Sequence, residues 1–253
     1  MSAKKLAIVT GGTSGIGAAV AEKLAADYEL ALVYRSDHGK AERFVKKLRN
    51  ARAYAIELEG HAGCEDVVAR VRRDFLLAPS VLVVAHGRAL DSLFLQSDSA
   101  EGERLLGELL LAPMALARAV LPDMAKAKAG RVVFVTSIAA RRHLPGRSVY
   151  ATAKAGLEAF TQALAIETGR YGVTVNAVAP GGIDTPLLRD YVESEAYVAG
   201  LPVPRLGRPE EVASVVHFLC SAEASYVNGA IVPVDGGASA AAVPRVSRES
   251  SSR

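Results

Sequence analysis

The chain has 253 residues, 50% of them hydrophobic, and a formal net charge of +3. That length supports one large α/β core. The final thirteen residues carry three Arg and one Glu, so the body is nearly neutral, which argues against a nucleic-acid-binding surface. Cys64 and Cys220 lie far apart in no recognisable motif, which suits a reducing compartment better than a disulfide scaffold. The start, MSAKKLAIVT, is too short in apolar residues for a signal peptide, and no membrane-spanning run is expected; the reading is a soluble cytoplasmic protein without a metal centre.

Short β-rich runs alternate with segments of helical length: KLAIV, ELALVY, ARAYAIEL, SVLVVA, GRVVFVTS, GVTVNAVA and AIVPVD. Because these runs are continuously apolar rather than alternating, they predict strands covered on both faces. The expected fold is therefore a single Rossmann-type, doubly wound α/β domain over residues 1–238, with a seven-stranded parallel sheet and helices on both faces.

The first run ends in TGGTSGIG, residues 10–17, followed by the helical AAVAEKLAAD. Glycines there let the backbone turn tightly and approach a ligand, and free N–H groups at a helix start favour a diphosphate. In this strand-to-helix context Gly11, Thr13, Ser14, Gly15, Ile16 and Gly17 are candidate dinucleotide ligands. The second run ends in Tyr34-Arg35-Ser36. An acidic residue there commonly holds the adenosine ribose, whereas an Arg accommodates a 2′-phosphate, so Arg35 and Ser36 favour NADP(H). Asp37, two residues beyond Arg35, keeps NAD(H) open. Glu57, ending the third run, is a candidate acceptor for the adenine amino group, and equally a solvated carboxylate.

Further along, SVYATAKAGLEAF at 148–160 reads as an amphipathic helix of mostly small residues. Tyr150 and Lys154, four apart, share one of its faces and can act on a single object. The longest irregular segment runs from Pro180 to about Arg208, broken by Pro186, Pro202 and Pro204, with Pro209 next; such a connection is usually a lid or binding loop, here placed at about 186–208. Its Leu187, Leu188, Tyr191 and Tyr197 suggest an apolar substrate. The end of the chain has little to bury, and a disordered tail is expected over 239–253.

TGGTSGIG, Ser137 thirteen residues before Tyr150, Lys154 four after it, and NAVAPGGIDTP at 176–186 together resemble the short-chain dehydrogenase/reductase superfamily over residues 4–238. Within it, RLGRPEEVASVVHFLCS and VNGAIVPVDGG are similar to the bacterial 3-oxoacyl-[acyl-carrier-protein] reductases and related ketoreductases. The resemblance implies that Ser137, Tyr150 and Lys154 are catalytic: Tyr150 gives the carbonyl oxygen its proton, Ser137 hydrogen-bonds that oxygen, and Lys154 also binds the nicotinamide ribose. It also implies cofactor contacts at Gly87, Tyr150, Lys154, Pro180, Gly181, Ile183 and Thr185. A free tyrosine has a pKa of about 10, and lowering it by three units takes roughly 4 kcal/mol, which the Lys154 ammonium and an oxidised nicotinamide are expected to supply.

Two departures stand out. Where the family commonly shows Asn-Asn-Ala-Gly after the fourth strand, this chain has Val84, Ala85, His86 and Gly87; His86 is placed either to reach the cofactor or to fill the gap, the structural role being preferred. Leu109 stands at the position of the family's catalytic Asn, which helps to hold a relay water beside the lysine. The expected activity is NADPH-dependent reduction of a carrier-bound 3-oxoacyl thioester. The rivals are a reductase for a free ketone or alcohol, and a low-activity partner subunit in a hetero-oligomer; a homodimer or homotetramer is the default from the resemblance. Arg141, Arg142, His143 and Arg147, near the expected pocket mouth, are candidates to attract a phosphopantetheine or an acidic carrier, with Lys126, Lys128 and Arg170 extending the surface. A solvated charge run is the plainer account of them.

Overall fold

The computed structural model describes residues 5–58, 61–88, 90–189 and 198–241, and of Ala62, Leu187 and Arg189 the backbone alone. Seven strands, β1 (Leu6–Thr10), β2 (Glu29–Tyr34), β3 (Ala51–Ala55), β4 (Pro79–Val84), β5 (Gly130–Val135), β6 (Val173–Pro180) and β7 (Ile231–Val234), form one parallel sheet. Their order is β3-β2-β1-β4-β5-β6-β7. The chain builds outward from β1 in one direction and then returns to build the other half from β4. The crevice for a ligand therefore opens past the carboxyl ends of β1 and β4, where the winding reverses.

The helices are α1 (Gly15–Leu24), α2 (His38–Lys47), α3 (Ala62–Phe75), α4 (Ser99–Leu106), α5 (Ala112–Ala127), α6 (Ser148–Thr168), a short α7 (Pro186–Arg189) and α8 (Pro209–Cys220). A single π turn, Gly107–Leu111, joins α4 to α5. Successive strand residues feed opposite layers: Ile8, Leu82 and Phe134 pack with Leu116 and Val120 of α5 and Leu157 of α6. Val9, Val83 and Val133 pack instead with Val20 and Leu24 of α1 and Val212 and Val216 of α8. This two-sided burial explains the continuous apolar runs. It fails at the sheet edges: β3 and β7 are largely only partly buried, because each lacks a neighbour on one side.

Contrary to the sequence expectation, one helical run, Ser99–Ala127, is long and apolar enough to cross a membrane, with a mean hydropathy of 1.6 over its richest window. Here it lies against α3, α6, β4 and β5, which accounts for its composition. At the far end, the Ser239 N–H donates to Asp235 Oδ2 at 2.7 Å and the Ala241 N–H to the Gly237 carbonyl at 3.0 Å. Residues 239–241 are thus tied into a turn, and the rest of the expected tail lies outside the described residues.

Candidate active site

Two cavities meet at the crevice. The first, of about 340 Å³, lies over the β1–α1 turn and the ends of β2 and β3; the second, of about 550 Å³, lies over β5 and β6. Ile16, Ala85, His86, Gly87 and Thr185 border both, so the two form one continuous cleft.

The glycine turn builds the first cavity. Gly11 has φ +64°, and a Cβ on it would sit 2.9 Å from His86 Cα; Gly15 has φ +50°. Both conformations are costly for other residues. Thr13, Ser14, Gly15 and Ile16 face the cavity with Gly11, and Ser14, the N-cap residue of α1, makes no side-chain capping bond. The start of α1 thus presents backbone N–H groups to whatever occupies the cavity, a cradle suited to a diphosphate. Gly17 does something different from the expectation. It is buried and off the cavity wall, and a Cβ there would lie 2.2 Å from the Gly11 carbonyl oxygen, so it lets α1 close onto the turn.

At the far end of this cavity lie Arg35, Ser36 and Glu57, with Lys40, which sequence reasoning missed. The Asp37 carboxylate caps α2 by accepting from the Lys40 N–H at 2.8 Å. One oxygen of the Asp37 carboxylate is therefore already engaged, and the cationic Arg35 and Lys40 fit a phosphate. The residues present thus fit a nicotinamide dinucleotide.

The second cavity brings together Ser137, Tyr150 and Lys154, with Pro180, Gly181, Ile183 and Thr185 on its wall. Ser137 ends the β5 segment and opens a 3-10 turn, its Oγ accepting from the Ala139 N–H at 3.1 Å, and its hydroxyl faces the same cavity as the Tyr150 phenol. One helical turn on, Lys154 is buried and donates from Nζ to the Val135 carbonyl at 2.9 Å. Burial pushes its pKa down from 10.5 to about 8, opposed by the charge of Glu108. Thr185 is buried, with its hydroxyl 3.4 Å from the Ile183 carbonyl.

The expected acidification of Tyr150 is not what the protein alone produces. Burial raises the phenol above its ordinary value, while the nearby Ser137 hydroxyl and the Arg147 charge oppose that rise. Lys154 Nζ stands 5.8 Å from the centre of the Tyr150 ring and is not among the causes. The physical reason is that desolvation of the phenolate exceeds the help of its neighbours.

His86 has the structural role expected of it. Its Nε2 lies 3.0 Å from the Glu108 carbonyl, which can only accept, so Nε2 carries the proton and Nδ1 accepts from Thr10 Oγ1 at 2.6 Å. Burial pushes its pKa down to about 4, consistent with a neutral ring. The ring thereby joins the end of β1, the loop after β4 and the π turn. Leu109, fully buried, packs with Leu105, Ala153 and Tyr150, and its Cδ2 lies 3.0 Å from where a Gly87 Cβ would be. An apolar side chain thus occupies the ground between the Gly87 loop and α6. Sequence reasoning missed Arg88, which lines the second cavity and bonds Glu108 at 3.2 Å and Glu101 at 3.1 Å.

Of the expected basic cluster, Arg141 is diverted to Glu158 at 2.9 Å and Arg147 pairs with Asp91 at 3.3 Å. Arg142 and Arg147 line the second cavity, and His143 is exposed. Lys128 caps α5 in a left-handed conformation and Arg170 bonds the Tyr171 hydroxyl, both away from the cleft wall, as is Lys126. The base of the expected lid is tied down, since the Gly207 N–H donates to the Gly182 carbonyl at 2.9 Å and the Asp184 N–H to the Gly207 carbonyl at 2.8 Å. Leu188, Leu201 and Pro202 line the second cavity. Tyr191, Tyr197 and the Leu187 side chain lie outside the described residues.

The profile of a family described as enoyl-(acyl carrier protein) reductase matches residues 11–239. The chain is 38% identical to a 3-oxoacyl-[acyl-carrier-protein] reductase of Pseudomonas aeruginosa, covering 92% of this chain and 96% of that protein. It is 34% identical to an acetoacetyl-CoA reductase of Shinella zoogloeoides, over 92% and 98% of the two chains. Among solved structures, levodione reductase superposes with a TM-score of 0.88 at 30% identity, covering 94% of this chain and 98% of its own.

Proposed function

Since the chain belongs to the short-chain dehydrogenase/reductase family and is an oxidoreductase of that family, we propose that it reduces a 3-oxoacyl thioester to the 3-hydroxy product with NADPH, in the cytosol. The observation that carries this reading is the convergence of Ser137, Tyr150 and Lys154 on one cavity continuous with a dinucleotide-shaped cleft. Two relatives with matching chemistry in their names, at 38% and 34% identity, support the substrate class. Arg35, Ser36 and Lys40 at the adenosine end support NADPH over NADH.

When bound, the cofactor supplies a hydride to the carbonyl carbon. The chain's own residues manage the oxygen. Ser137 and Tyr150 present their hydroxyls to one cavity to bind the carbonyl oxygen, and the raised pKa keeps Tyr150 protonated near neutral pH, the state a proton donor needs. Lys154, with a pKa of about 8, is poised to return a proton to the phenolate side of the site. Pro180, Gly181, Ile183 and Thr185, on the wall of the same cavity, would hold the nicotinamide beside these hydroxyls. NADPH oxidation measured on a 3-oxoacyl thioester beside a small free ketone tests the reading: faster turnover of the thioester supports it, and activity confined to the ketone replaces the substrate class.

One observation favours a second reading. Leu109 puts an apolar side chain where the family's relay Asn stands, which fits a low-activity subunit that works beside a more active relative. Protein that binds NADPH but reduces nothing until a relative is added would establish that alternative.

A further inference from the structure

The second cavity has an asymmetric charge. Arg88, Arg142, Arg147 and Lys154 line it, and among the described residues no Asp or Glu does. This is a local feature, because the chain as a whole carries only +3, much of it in the tail. Three of the four cations are accounted for: Arg88 by Glu101 and Glu108, Arg147 by Asp91, and Lys154 by the Val135 carbonyl. Arg142 differs. It is half-buried, its backbone N–H is fixed to the Ile138 carbonyl at 2.8 Å by the turn that begins at Ser137, and its guanidinium has no acidic partner among the described residues. Its neighbour Arg141 is turned onto Glu158 and does not line the cavity.

Resting on the ketoreductase reading, we propose that Arg142 is a specificity-determining residue that binds an anionic group of the substrate, a phosphate or a carboxylate, beyond the reacting carbonyl. A half-buried guanidinium on a largely apolar wall is less exposed to competing water than a surface cation, and its planar fork matches both oxyanions. The rest of the wall, with Ile138, Leu144, Leu188 and Leu201, takes the apolar part of the same molecule. Arg147, already neutralised by Asp91, adds only to the field.

The test compares three ketones in steady state and by calorimetric binding: acetoacetyl-CoA, the neutral N-acetylcysteamine thioester of acetoacetate, and a free medium-chain keto acid. Arg142→Gln is expected to raise KM for an anionic substrate about tenfold to hundredfold, with kcat and the neutral thioester's KM nearly unchanged, and Arg142→Lys to restore part of the loss. A loss confined to the CoA thioester identifies a phosphate, and one confined to the keto acid a carboxylate. Equal losses for neutral and anionic substrates, or no loss for any, overturn the proposal. Should the wild type reduce no thioester, the ketoreductase reading fails separately, and the calorimetric comparison of the Gln variant with the wild type still decides the anion site.

Discussion

Lys154→Met turns the burial of the lysine into a measurable stability curve. Its pKa falls from 10.5 to about 8 in the fold. Holding the charged ammonium in the fold therefore costs on the order of 3 kcal/mol. The unfolded chain binds the proton more tightly, so the burden is full below pH 8, shrinks as pH rises from 8 to 10.5, and is gone above that. Methionine fills similar space without a charge but forfeits the 2.9 Å bond to the Val135 carbonyl, at a cost of about 1 kcal/mol. In nucleotide-free protein unfolded with urea, the variant should therefore exceed the wild type by about 2 kcal/mol at pH 7. That advantage should decline through pH 8–10.5 and end as a deficit of about 1 kcal/mol. The same variant should lose turnover. A stability difference that does not change with pH, or a variant that is weaker at pH 7 and no worse at pH 10.5, would refute the argument.

His86→Leu strands the Thr10 hydroxyl and the Glu108 carbonyl and should cost about 1–3 kcal/mol by urea unfolding, while His86→Gln, which has a donor and an acceptor, should recover most of it. Gly17→Ala drives a Cβ to 2.2 Å from the Gly11 carbonyl oxygen, so a destabilisation of about 1–3 kcal/mol and weaker NADPH fluorescence titration are expected. Arg35→Asp should lower kcat/KM with NADPH by about tenfold or more and raise it with NADH, read from paired cofactor kinetics.

The parts legible in the sequence are those set by short-range geometry. TGGTSGIG fixes a turn because its glycines alone allow φ of +64° and +50° there, and the four-residue spacing of Tyr150 and Lys154 fixes one helix face. All seven strands follow from the apolar runs, whereas the partial exposure of the edge strands β3 and β7 depends on strand order, which no local pattern carries. What was not legible arises from contacts between distant segments. The π turn reveals itself only where the Glu108 carbonyl meets His86, 22 residues away. Arg88 became part of the cleft through Glu101 and Glu108, and Arg141 left it through Glu158. The direction of the Tyr150 shift depended on its burial, which no local pattern reports.

The most direct measurement is carbonyl reduction by Tyr150→Phe beside the wild type, with NADPH and a 3-oxoacyl thioester. Loss of the hydroxyl should cut kcat by about a hundredfold or more while leaving NADPH affinity within about twofold. A variant that turns over as fast as the wild type would contradict the assignment of the Ser137, Tyr150 and Lys154 cavity as the reacting centre.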